Sequence, residues 1–169
     1  MFDKLPSGAD ALHEWLREHL GLTIPREAII EGHSAPFAYL CHSFFEHHQP
    51  RDALVWANRG GGKTFLGALA TALDLAFKPG IEIRILAGSL EQAGRMHEHL
   101  RGFFSREPFA PLVEGKMTEK KLRLTNGSRA ELLAAVPSCE ALDEDNFTAA
   151  AAVERRRGAC WKCAMSGGA

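Results

Sequence analysis

Apolar residues recur at intervals of three and four over Ala9, Leu12, Trp15, Leu16 and Leu20, which predicts an amphipathic helix. Ser7 is its expected cap, Gly21 closes it, and Pro25 prevents its continuation. A second helical pattern runs from Pro36 through Phe37, Tyr39, Leu40, Phe44 and Phe45, and stops near His47-His48-Gln49-Pro50. The period then changes. Ala53 to Asn58 is an apolar run of strand length, and after a glycine turn a helix from Lys63 to about Phe77 carries Phe65, Leu66, Leu69 and Leu73 before Pro79-Gly80. Ile81 to Ala87 alternates β-branched and charged residues, which predicts a strand near a sheet edge. Strand, helix and strand at this spacing predict a βαβ unit whose two strands, Ala53–Asn58 and Ile81–Ala87, run parallel.

Ser89-Leu90-Glu91-Gln92 has the form of a capping box, and the helix it opens gathers Met96, Leu100, Phe103 and Phe104 on one side. Arg95, His97, His99 and Arg101 lie opposite, but Glu91 and Glu98 interrupt them, which fits a solvated face better than a track for a phosphate backbone. Residues 120–125 and 128–133 are alternating segments joined by Asn126-Gly127, a strong hairpin signal. Leu122, Leu124, Ala130 and Leu132 are expected inward. The intervening lysines and arginines are expected outward, where they serve DNA or keep an edge soluble. After about Ala135 the character shifts to a four-alanine run, the triplet Arg155-Arg156-Arg157 and a glycine-rich end. That stretch predicts a short helix from Thr148 to Arg157 within a weakly ordered tail.

The expected organisation is therefore an N-terminal helical segment over 1–50, an α/β core over 51–135 and an alanine-rich tail over 136–169. A chain of 169 residues with 46% hydrophobic and 24% charged content can bury a sizeable core. Its net charge of -1 provides no global attraction for nucleic acid, so any such contact must be local or come from partner subunits. There is no apolar run of membrane-spanning length and no signal-peptide pattern, which makes the cytoplasm the expected compartment. Four cysteines are too few for a disulfide framework, and Cys160-Trp161-Lys162-Cys163 is half a zinc site without a second half.

The candidate chemistry lies between the first strand and its helix. Asn58-Arg59-Gly60-Gly61-Gly62-Lys63-Thr64 follows an apolar strand pattern and opens a helix pattern, the plan of a phosphate-binding loop. Glycines let main-chain amides face inward, and the positive end of the helix adds attraction for an anion. In this reading Lys63 reaches the terminal phosphates of ATP and the Thr64 hydroxyl holds Mg²⁺, with Ala57 standing where the first glycine of the consensus falls. Pro36 and Phe37 are candidates for a wall against which adenine stacks.

These loop residues, with Gly80 to Gln92 and Asn126 to Leu133, resemble the ATPase domain of the large terminase subunit of tailed bacteriophages over roughly Pro36 to Ala135. The resemblance implies a P-loop NTPase fold: a parallel sheet with flanking helices, incomplete at its carboxyl end, plus a hairpin. It also implies a motor that hydrolyses ATP to package double-stranded DNA, working as a homo-oligomeric ring with a portal protein and a small terminase subunit. Arg59 occupies the place of an arginine finger supplied in cis, and the family's magnesium aspartate and water-positioning glutamate have Asp143 and Glu144 as candidates. Glu140 interrupts the apolar strand that should precede that pair, and the later family motifs have no counterpart. The expectation is a truncated or frame-shifted product that binds nucleotide at most, with hydrolysis feeble or absent for want of a water-positioning glutamate. A helicase-like translocase and a non-catalytic fragment are the alternatives.

Overall fold

In the computed structural model, residues 2, 4–28, 30–46, 53–87, 89–134 and 152–156 are described, the last in backbone only. The segment rich in alanine and leucine after the glycines forms helix α3, Lys63–Phe77, and every residue from Ala68 to Phe77 is buried. A helix apolar on all sides can only be an interior element. Gly67 permits close approach to helix α4, Leu90–Phe104: a side chain there would stand 3.6 Å from the Met96 methyl.

The other helices pack around this pair. Helix α1, Ala9–Leu20, contributes Leu12 and Leu16, and helix α2, Pro36–Phe45, contributes Phe37, Leu40 and Phe44 to the same hydrophobic core. An aromatic group closes the far end of α3, where Phe77 meets Phe2 and Trp15 edge-on at 5.1 and 5.2 Å. Gly21 ends α1 in the left-handed conformation, as its sequence position predicts. The amino-terminal cap differs from expectation: it is Gly8, and no side-chain capping bond is made there.

Strand β1, Glu82–Ala87, lies centrally in a small mixed sheet of order β2-β3-β1-β4, with β2 at Lys121–Arg123, β3 at Arg129–Ala134 and β4 at Ala152–Arg156. β1 pairs parallel with β3, and α4 lies in the connection between them. β2 pairs antiparallel with β3 through the turn around Asn126-Gly127, as expected, and Leu122, Leu124, Ala130 and Leu132 are buried. Gly127 adopts φ +84°, which a residue with a β-carbon rarely does.

Further expectations are corrected: β1, expected near a sheet edge, has a neighbour on each side. Residues 53–58 carry no strand, and Leu54 and Trp56 are 85% and 87% exposed, so the pairing with β1 is not made. The reason is geometric: β3 and β4 occupy both edges of β1. The sheet is therefore mixed, with β4 antiparallel to β1. β4 also corrects the helix predicted over the tail, since residues 152–156 are extended. Its register sets Glu154 opposite Arg84 and Arg156 opposite Glu82, so pairing with β1 overrides the strong helical preference of alanine.

The carboxyl end of α3 is fastened by groups remote in sequence. The Asn126 side-chain amide donates to the Leu75 carbonyl at 2.8 Å, and the Ser128 hydroxyl donates to the Lys78 carbonyl at 3.0 Å, satisfying helix-end acceptors. Lys78 reaches Glu46 at 2.7 Å and the fully buried Asp74 at 2.8 Å, joining the end of α2 to the end of α3.

His97 on α4 is 2% exposed, and its Nε2 lies 2.7 Å from the Thr118 carbonyl, which ties the segment before β2 to the helix. Burial pushes its pKa below the usual histidine value, the Thr118 bond opposes this, and nearby Arg101 adds to the depression. The unfolded chain therefore binds a proton at higher pH than the folded one. His97's contribution to stability is whole above about pH 6.5 and declines as the pH falls from there toward the depressed folded value. A fall in the urea midpoint between pH 7.5 and 5.5 is expected, and His97→Gln should flatten that slope. Glu82, held low chiefly by its hydrogen bond from Arg129, titrates below this window.

Candidate functional site

The glycine segment turns as its composition predicts. Gly60 has φ +80° and Gly62 φ +74°, both in the left-handed region, and the Gly61 amide donates to the Asn58 carbonyl at 3.1 Å. Gly62 is the amino-terminal cap of α3, and its carbonyl accepts the first helical bond, from Leu66 at 2.9 Å. Among the described residues, the amides of Gly62, Lys63, Thr64 and Phe65 have no hydrogen-bond partner. Free amides at the positive end of a buried helix are suited to an anion.

Lys63 crosses the mouth of this turn. Its ammonium donates to the Ala57 carbonyl at 2.5 Å and to the Asn58 carbonyl at 2.8 Å, so the two ends of the loop are bridged by the side chain that carries its charge. This fixes a cation beside the free amides. The exposed Asn58 side chain lies against the turn: a β-carbon on Gly61 would come within 2.6 Å of its Oδ1 and 3.1 Å of its carbonyl oxygen, so position 61 has no room for a side chain.

Thr64 follows Lys63 on the first turn of α3, and its hydroxyl has no partner among the described residues, so it is free to meet a cation held by phosphates. Arg59 is exposed on the loop and makes no ion pair among the described residues. Asn58, Arg59, Gly60, Gly61, Gly62, Lys63 and Thr64 thus lie together. Asp143 and Glu144 lie outside the described residues, as do His47, His48, Cys160 and Cys163. Among the described residues no cluster of three or more His, Cys, Asp or Glu side chains could hold a metal ion, and no helix is long and apolar enough to cross a membrane.

A cavity of about 610 Å³ opens beside the loop, between it and α2. Gly61 and Lys63 line it from the loop side, Pro36, Tyr39 and His42 from α2, and Trp56 from the segment before the loop. Pro36 and Phe37, expected together in one wall, are separated by the fold. Pro36 lines the cavity, but Phe37 turns into the core, where its ring meets His13 edge-on at 5.1 Å and the Arg26 guanidinium at 5.6 Å. Sequence reasoning missed Tyr39 and His42, although their spacing of three puts them on one helical face, and it read Trp56 only as strand.

No protein-family model matches the chain, and comparison with characterised proteins gives no significant match.

Proposed function

We propose that this chain binds ATP with Mg²⁺ through the loop at the start of α3, as the ATPase portion of a phage terminase large subunit. The observation that carries the reading is the loop itself: left-handed glycines, free helix-end amides and a lysine bridging the turn. In this reading Lys63 and the amides hold the phosphates, Thr64 reaches Mg²⁺, and Arg59 neutralises charge that spreads over the γ-phosphate in the transition state. Mg²⁺ held by Thr64 would supply positive charge against the phosphates. Asp143 and Glu144 are the proposed magnesium and water-positioning residues.

The wider reading is that of the packaging motor: a homo-oligomeric ring acting on double-stranded DNA with a portal protein and a small terminase subunit in the host cytoplasm, built on a P-loop type of sheet. One observation favours binding without efficient turnover. Residues 53–58 stand outside the sheet, so the loop lacks the rigid strand that would hold it against a reacting phosphate.

Thermal melting tests the reading directly. A ligand bound only by the folded chain, present at about a hundred times its dissociation constant, stabilises by about 2.7 kcal/mol. Mg-ATP is therefore expected to raise the melting temperature by roughly 5–10 °C for a chain of this size. An unchanged midpoint at millimolar Mg-ATP would exclude nucleotide binding.

A further inference from the structure

The hairpin turn between β2 and β3 carries a reactive pair of residues. Asn126 alone of the three asparagines is followed by glycine, and that order favours an intramolecular reaction, because no β-carbon crowds the following main-chain nitrogen. The Gly127 amide nitrogen gives up its proton to hydroxide and attacks Asn126 Cγ, closing a five-membered succinimide as the Cγ–Nδ2 bond breaks and ammonia leaves. Water then opens the ring at either carbonyl, giving aspartate or isoaspartate. The sum is one water consumed and one ammonia released, with no other reactant.

The fold restrains both reacting nitrogens. Asn126 Nδ2, the leaving group, donates to the Leu75 carbonyl at 2.8 Å and the Ala76 carbonyl at 3.3 Å, and the Gly127 amide, the nucleophile, donates to the Leu124 carbonyl at 3.0 Å. Asn126 Oδ1 also accepts from the Ser128 amide at 3.0 Å. Ring closure therefore waits on a local opening. Gly127 is exposed, so water and hydroxide reach the turn once it opens. The product does not relock, because a carboxylate oxygen replaces the donor that faced two carbonyls at the end of α3, and those acceptors repel it. Isoaspartate also lengthens the main chain by a methylene, where the Asn126 carbonyl accepts from the Gly80 amide at 3.2 Å. We propose that Asn126 is a deamidation site guarded by the fold, and that its conversion to aspartate or isoaspartate unfastens the carboxyl end of α3 from the β2–β3 hairpin.

The full chain is aged at mildly alkaline pH, either folded or unfolded in guanidinium, and the state of Asn126 is read by peptide mass spectrometry. Deamidation is expected to run roughly tenfold or more slower in the folded chain. Ser128→Ala removes the neighbouring bond to the Lys78 carbonyl at 3.0 Å and leaves Asn126 and Gly127 in place, so it should speed the folded-state reaction several-fold. Deamidated chain, separated from the rest by anion exchange on its added negative charge, is expected to melt roughly 5 °C or more below unaged chain. Equal rates in folded and unfolded chain, or an unchanged rate in Ser128→Ala, would overturn the guard. Deamidated chain that melts with the parent would overturn the release of α3.

Discussion

Lys63→Ala is expected to remove the Mg-ATP-dependent rise in melting temperature and to weaken ATP by roughly a hundredfold. The lysine has two roles at one place. It provides the charged donor next to the free amides of α3, and a charge-assisted hydrogen bond of this kind contributes about 1.5–3 kcal/mol. It also bridges the carbonyls of Ala57 and Asn58, so alanine would open the turn as well as discharge it. The side chain is half-buried at the surface end of its helix, and the unliganded variant should melt close to the parent. Lys63→Arg should not restore binding, because a planar guanidinium cannot reproduce a compact ammonium between two carbonyls. An alanine variant that Mg-ATP stabilises as much as the parent would remove the loop from the site.

The second large effect concerns stability. Asp74 is fully buried one turn before Lys78, whose ammonium it meets at 2.8 Å, and Glu46 meets the same ammonium at 2.7 Å. Lys78→Met deletes the cation and keeps an apolar stem beside the Phe44 ring, over which the ammonium sits at 5.4 Å. The carboxylate of Asp74 then stays buried without its lysine, which costs about 3–5 kcal/mol and lowers the melting temperature by roughly 10 °C or more. Adding Asp74→Asn, which removes the stranded charge, should recover a large part of the loss. If Lys78→Met melts within a degree or two of the parent, the ion group does not hold α2 to α3.

How much of this could be read beforehand depends on whether a feature is local. Helices α1 to α4 declared themselves through apolar spacing sustained over ten or more residues, and the hairpin through Asn126-Gly127, because each signal is contained within its own element. The glycine loop was legible for the same reason. Residues 53–58 were misread because an apolar run records willingness to pair, not the presence of a vacant edge, and β1 has none left. The helix assigned to 148–157 failed over 152–156 on the same point, since a partner strand decided the matter and alanine did not. Phe37 was set in the cavity wall, yet whether that face of α2 meets solvent or core is fixed by His13 and Arg26, far back in the chain. Asn126 was recognised as a turn residue but not as the cap of a helix fifty residues earlier.

The manner in which α3 is held has a mechanical consequence. Its last ten residues are enclosed on every side and pinned by Asn126, Ser128 and Lys78, while Lys63 to Gly67 are only half covered. The helix is thus a cantilever, clamped at its root and carrying the glycine turn at its tip. A force on that tip acts about the root, which Asn126 and Ser128 tie to the β2–β3 hairpin.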